Sequence, residues 1–435
     1  MTIDKSSASS RVESLSSIRD EILRRAQEAA PNTQSNSDGT QEVEVSVAWP
    51  GEDIVPDWDR ADKRMREARE LVRYRPAMFL GDTDLTGLNC LFVSVLEDAV
   101  NEALAGRLTS VDVALYSDGS VSVADDGVGF SSAINEPTGL SQIELRLRAF
   151  DRASVSLAER YVVPSLFGIG SHACVNFLSA WCDFHSEHKG NRYSLRCEEG
   201  VPIAPLKELG ATTGHGTMIR WLPDPQIFGD HRYSADILRS YIRKICYLTP
   251  EITIRFEDRS SDGEPEEYHF ERGVADLLAE LNISRESISD IVHARESRDG
   301  VHVDLALQFT TSGIDTSHTF ANNVHTPAGG SHLDGLKLGV RRALGKFARG
   351  NGLLPSGAKF ANVDITYGLT AVISIRHFHP QFEGATKAKL HNPETVGPIS
   401  QIVEDALMRH FEQYPDVAAI VLKRSMRTRQ VRLRL

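Results

Sequence analysis

Apolar positions recur at helical spacing between residues 91 and 106. Val93, Leu96, Val100 and Leu104 fall on one stripe, and Gly106 ends it. The period then switches to two. Val111, Val113 and Leu115, and after them Val121 and Val123, alternate mostly with polar residues and read as two strands. Asp118-Gly119 between them predicts a tight hairpin. The second strand runs into Asp125-Asp126-Gly127-Val128-Gly129. A carboxylate at a strand end, followed by two glycines that admit a close backbone, suits recognition of a purine amino group. A hairpin with a flexible exit is the alternative.

The same reading extends in both directions. Residues 1–60 are rich in Ser, Asp, Glu, Asn and Gln and are expected to be a largely mobile extension. A charged helix follows from Ala61 to about Pro76, then a strand-like piece and a polar loop in AMFLGDTDLTGL. A helix is expected over 141–150. Gly168 and Gly170 precede an apolar helix whose free N–H groups could face an anion, unless the glycines only allow a close-packed corner. Alternating strands, a helix over 235–247 and a strand over 252–257 lead to a second α/β unit from about Gly273. Its long helix starts near His332, and the chain ends helical and basic.

Composition narrows the class. The chain has 435 residues, 41% hydrophobic and 25% charged, which describes a soluble globular protein of two or three domains. No apolar run spans a membrane and no secretory signal opens the chain, so cytoplasmic residence is expected. The five cysteines show no metal or redox spacing and read as buried thiols in a reducing compartment. A net charge of −12 argues against broad nucleic-acid binding by the whole surface, though not against a local basic patch.

Several segments, in order, resemble the N-terminal half of DNA gyrase B and its relatives in the GHKL ATPase superfamily. They are VRYRPAMFLGDTDLTGL, NEALAG, VSVADDGVGF, GTMIRWLPDPQIF, NNVHTPAGGSHLDGL, YGLTAVISI and PQFEGATKAKL. The resemblance implies an α+β fold. A Bergerat ATP-binding domain over 61–272 would have a mixed sheet with helices on one face. A transducer domain of ribosomal-S5-domain-2-like type would follow over 273–435. It also implies ATP and Mg²⁺ as cofactors and a homodimeric clamp closed by ATP around DNA. Asp125 matches the adenine-binding aspartate, Gly127 and Gly129 the glycines beside it, and Thr217 the supporting threonine. Gly168 and Gly170 match the end of the phosphate loop, and Lys387 the transducer lysine that reaches the γ-phosphate.

The departures fall where hydrolysis is expected. Aligned through EALAG, Ser94 stands at the position of the glutamate that activates water, and a hydroxyl of ordinary pKa cannot be that base. Asp98 replaces the asparagine that holds Mg²⁺; it keeps an oxygen ligand but adds negative charge beside the triphosphate. Pro164 and Ser165 occupy glycine positions of the phosphate loop, and Ala385 replaces the glutamine beside Lys387. Val128 replaces an arginine whose partner would be Glu102. Glu97 and Asn101 are also four apart, so a helix register shifted by three residues would present them as base and metal ligand; otherwise Glu97 is solvent-facing or supports the site from behind.

Three functions follow as expectations. The first is a gyrase-B-like, ATP-binding, dimerising clamp related to ATP-hydrolysing topoisomerases, with hydrolysis weak or lost. The second is a non-enzymatic regulator or decoy that binds gyrase or topoisomerase subunits or a gyrase-directed ligand. The third is an active ATPase using Glu97 and Asn101. No EGDSA-like segment of a TOPRIM domain is present, so no strand cleavage is expected from this chain alone. Lys423, Arg424, Arg427, Arg429, Arg432 and Arg434 could touch DNA phosphates, or form an ordinary solvated helix end.

Overall fold

The computed structural model describes residues 58–136, 138–148, 171–261, 263–354, 359–384 and 387–434. The expectations for the N-terminal extension, the phosphate-loop positions Pro164, Ser165, Gly168 and Gly170, and Ala385 lie outside them. Residues 54–435 make one compact unit.

Among the described residues the sequence pattern is realised as two large sheets with helical cover, beside a two-stranded ribbon of Ile134–Asn135 and Leu140–Ser141. The first has nine strands. From one edge it runs Glu266–Tyr268, Thr253–Arg259, Ser110–Tyr116, Val121–Asp125, Gly216–Pro223, Ser179–His188, Asn191–Glu198 and Val201–Pro202, with Lys207–Ala211 also on Asn191–Glu198. Ser110–Tyr116 pairs parallel with Thr253–Arg259 and antiparallel with Val121–Asp125, so the sheet is mixed. Inward residues alternate along its strands, as with Cys182 and Phe184, Tyr193, Leu195 and Cys197, and Ile219 and Trp221. That period of two is what a sheet with one covered face requires.

The cover includes the helix Leu85–Leu104. Asp84 caps it, its carboxylate accepting from the Thr86 N–H at 2.6 Å. Leu88, Leu91, Phe92, Val95, Leu96, Val100 and Ala103 are buried against the sheet. Burying each of the larger side chains contributes about 1.5–3 kcal/mol. The strand expected in AMFLGD is instead a short helix, Ala77–Leu80. Pro76 holds φ −59 and ψ −36, Gly81 ends the turn at φ +85, and the consecutive Phe79 and Leu80 both bury, which a strand could not do on one face.

The second sheet runs Val292–Arg298, Val301–Phe309, Leu369–His377, Thr316–Ala321, Val324–His325. Thr316–Ala321 lies parallel to Leu369–His377, and the helix Ser331–Gly350 falls between them in the chain. Leu305, Leu307, Ile373 and Ile375 pack with Leu336 and Val340 of that helix and with Ile399 and Val403 of the helix Val396–Gln413. Their neighbours Ala306 and Val372 pack the other way, on Val274 and Leu278 of the helix Val274–Leu281. Both faces are therefore covered, and these central strands are apolar almost throughout. Of the cysteines, Cys90 is half-buried and Cys174, Cys182, Cys197 and Cys246 are buried free thiols.

The two sheets meet through named polar contacts. Arg376 reaches both carboxylate oxygens of Glu251 at 3.1 Å and the Leu248 carbonyl at 3.2 Å. Asn323 donates to the Thr249 hydroxyl at 3.0 Å. This junction brings the Lys387 segment into electrostatic range of the Leu85–Leu104 helix.

Candidate nucleotide site

The segment expected to hold adenine is built by strand register. Asp125 closes its strand directly opposite Thr217, and the Thr217 hydroxyl donates to Asp125 Oδ2. The Gly127 N–H donates to the other oxygen, Oδ1, at 2.9 Å. Burial raises the Asp125 carboxyl above its ordinary range, opposed by the Thr217 and Gly127 hydrogen bonds. The adjacent Asp126 is spent on structure, accepting from Thr109 N at 2.9 Å, Ser110 N at 3.0 Å and the Thr109 hydroxyl at 2.7 Å. Of the two aspartates, only Asp125 is turned to the strand that carries Thr217.

The glycines serve the protein's own backbone. A Cβ on Gly129, at φ +69, would stand 2.1 Å from the Glu187 carbonyl oxygen. One on Gly127 would stand 2.7 Å from Asp125 Oδ1. Gly216, which the sequence reading did not single out, has φ +127, and a Cβ there would stand 2.0 Å from the Asp125 carbonyl. The loop is closed by His215 Nδ1 against the Gly127 carbonyl at 3.0 Å and His188 Nδ1 against the Val128 carbonyl at 2.8 Å. Glu102, whose expected arginine partner is Val128, pairs instead with Arg107.

The helix places Ser94, Glu97 and Asp98 in three different environments. Ser94 is buried and its hydroxyl donates back to the Leu91 carbonyl at 2.8 Å. Glu97 is half-buried, and its Oε2 is shut off from solvent without a hydrogen-bond partner. Burial lifts its carboxyl to about 7, a rise that Asp98 reinforces and that Lys387 and Lys244 oppose. Glu97 is thus neither solvent-facing nor satisfied. Asn101 is half-buried one turn further on. Lys387 is half-buried, with a left-handed backbone at φ +53. Lys244, on the helix Ala235–Leu248, lies over the Phe320 ring at 5.7 Å; burial depresses its pKa and Glu97 opposes that.

Asp98 is already engaged. Its Oδ2 accepts from the Ser171 hydroxyl and lies 2.9 Å from His172 Nδ1. Burial alone would raise its carboxyl, but His172, Arg146 and Ser171 outweigh that and bring it to about 2. Arg146, on the helix Gln142–Arg148, stacks over the Phe130 ring at 4.7 Å. Its Nε is buried without a partner. Phe130 also meets the His172 ring edge-on at 6.0 Å. Arg146, Ser171, His172 and Lys244 were missed by motif reading. The one signal for Arg146 is a cation three residues after Ile143 and one before Leu147, both buried.

Elsewhere, half of the basic tail is spent internally. Arg424 donates to the Thr310 and Ser312 carbonyls, Arg429 to the Lys359 carbonyl at 3.2 Å, and Arg432 pairs with the buried Asp364 at 2.7 Å. Lys423, Arg427 and Arg434 are exposed. No helix among the described residues is long and apolar enough to cross a membrane.

Comparison with known proteins agrees with this geometry. The DNA gyrase B family model matches residues 273–435. The DNA gyrase B protein of Thermotoga maritima is 33% identical over 372 residues, covering 83% of this chain and 58% of that protein. The chain therefore spans less than two thirds of the curated relatives it matches. The 43K ATPase domain of Thermus thermophilus gyrase B, solved in complex with an aminocoumarin, superposes with a TM-score of 0.74 at 30% identity, over 85% of this chain and 97% of that one. The topoisomerase IV ATP-binding domain of Francisella tularensis, solved with a small-molecule inhibitor, gives 0.71 at 26% identity, over 84% and 97%. Its two-sheet α+β architecture and these likenesses together establish that the chain belongs to the DNA gyrase B family, in the ATPase and transducer region of these type II topoisomerase proteins.

Proposed function

We propose that this chain is a gyrase-B-like clamp module that binds ATP and dimerises on doing so, with hydrolysis weak or lost. The nucleotide part would occupy 61–272 and the transducer 273–435. One contrast carries the reading. The purine end is assembled, with Asp125 held by Thr217 and Gly127, while Ser94 bonds back into its own helix at the base position. In this reading Asp125 accepts the adenine amino hydrogens, Gly127 and Gly129 shape the loop, and Lys387 meets the γ-phosphate. Absence of a positioned base slows turnover by about 10²–10⁴-fold. Isothermal titration with a nonhydrolysable ATP analogue tests binding. Measurable affinity in the native chain and a loss of roughly 10–100-fold in Asp125→Asn are expected, from about 1.5–3 kcal/mol for a hydrogen bond to a charged group. No heat from the native chain would refute the reading. DNA and other gyrase or topoisomerase subunits are the partners this function calls for.

Glu97 favours a second reading, an active ATPase. Its buried, unpartnered Oε2 and a carboxyl near 7 are properties of a general base. Phosphate release that survives Ser94→Ala and vanishes in Glu97→Gln would establish it. Turnover unchanged in Glu97→Gln would remove it.

A further inference from the structure

Three polar residues stand in one row on the helix-covered face of the first sheet. Asp125, Thr217 and Ser186 are register partners across three adjacent strands. Two residues back along the same strands, and so on the same face, the matching row is Val123, Ile219 and Phe184, all buried and apolar. Asp125 and Thr217 are bonded to each other. Ser186, 1% exposed, is bonded instead to the far end of the loop that leaves Asp125. Its hydroxyl accepts from the Phe130 N–H at 2.6 Å and donates to the Phe130 carbonyl at 3.1 Å. One side chain thereby satisfies both backbone groups of Phe130, as a residue of a neighbouring antiparallel strand would.

We propose that Ser186 is a positioning residue for purine recognition, acting through the 125–130 loop on the Asp125 carboxylate and setting a preference for a purine that carries an exocyclic amino group. This rests on the ATP reading above. The loop leaves the strand Val121–Asp125, crosses Gly216–Pro223 and is fastened at Phe130 to Ser179–His188. The crossing is close: a Cβ on Gly129 would stand 2.1 Å from the Glu187 carbonyl oxygen and 3.0 Å from that of Gly216. Between the two ends lies Gly127, whose N–H holds Asp125 Oδ1 at 2.9 Å. Fastening Phe130 keeps that N–H in place. His188 and His215 also grip the loop, at the Val128 and Gly127 carbonyls, but neither is buried, so water competes for their bonds. The Ser186 bonds are shielded, and the Phe130 ring packs on Phe184 of the same strand at 5.9 Å. An amino group on the purine donates to the carboxylate so placed. A keto group offers it only an acceptor and gains nothing from its placement. Loss of the Ser186 hydroxyl therefore removes affinity for the first kind of base and spares the second.

The test is titration of the native chain, Ser186→Ala and Ser186→Thr with ADP and with inosine diphosphate, whose base has a keto group where adenine has its amino group. The native chain should prefer ADP by about tenfold or more. Ser186→Ala should lose roughly 5–50-fold in ADP affinity and no more than about threefold in inosine diphosphate affinity. Ser186→Thr keeps the hydroxyl and should recover most of the loss. Equal losses for the two nucleotides in Ser186→Ala, or no loss for ADP, overturn the proposal and leave the ATP reading standing. A folded Ser186→Thr as weak as the alanine variant also overturns it. Equal native affinities overturn it together with the adenine role of Asp125, and no binding of either nucleotide overturns the ATP reading as well. Should Ser186→Ala not fold, amide hydrogen exchange of Phe130 in the native chain decides. Its protection should rise with saturating ADP and not with saturating inosine diphosphate, and an equal rise with both overturns the proposal.

Discussion

Glu97 offers a test of the site that needs no ligand. Burial lifts its carboxyl from 4.5 to about 7 in the folded chain. The folded state then holds the proton more tightly than the unfolded one between those values, so ionising Glu97 destabilises the fold as pH rises. The penalty is absent below the unfolded pKa and fully developed above the folded one. At pH 8 it amounts to about 3 kcal/mol, and at pH 5 to about 1 kcal/mol. Glu97→Gln mimics the protonated form at every pH, with the same reach and no charge. The variant should therefore be more stable than the native chain at pH 8 by about 2 kcal/mol more than at pH 5. A unit of roughly 380 residues has an unfolding entropy of about 0.8 kcal/mol per degree, so the melting midpoint should gain about 3 °C more at pH 8 than at pH 5. Thermal melts of both proteins across that range read the effect. A midpoint difference that does not change with pH, or grows toward acid, would refute the burial argument and with it the second functional reading.

Other perturbations separate neighbouring causes. Gly129→Ala meets both a left-handed φ and the Glu187 carbonyl, whereas Gly190→Ala, at φ +86, has nothing within 4 Å of its Cβ. The first should destabilise by about 1–3 kcal/mol more than the second in melting experiments, and equal losses would show that the close approach is relieved without cost. Arg432→Ala leaves the buried Asp364 carboxylate without its ion pair and should lower the melting midpoint, a loss partly recovered by adding Asp364→Asn. Failure of the second change to recover stability would mean that the arginine acts by packing. Arg427→Ala, on the exposed side of the same helix, should leave the melting midpoint within about 0.5 kcal/mol of native; a larger loss would place it in a structural contact.

Much of the local structure was legible in the chain. The apolar stripe over Val93–Leu104 and the alternation in Val111–Leu115 and Val121–Val123 are local periodicities, and the structure turns them into the helix Leu85–Leu104 and the strands Ser110–Tyr116 and Val121–Asp125. AMFLGD was misread because two adjacent apolar residues look alike in a strand edge and in one helical turn, and only Pro76 and the packing of Phe79 and Leu80 decide.

Sequence by itself determined the family and most of the element types, because motif order and periodicity are properties of neighbouring residues. Tertiary structure decided what those residues face. Thr217 stands opposite Asp125 only through sheet register across 92 positions. Glu97 meets Lys387 and Lys244 only where the two sheets join, and Asp98 is claimed by Ser171, His172 and Arg146 from two other helices. Charge and burial act through space, so Asp125 is held by Thr217 and Gly127 while Asp98 is held by Ser171 and His172, with nothing in their local sequence to announce the difference.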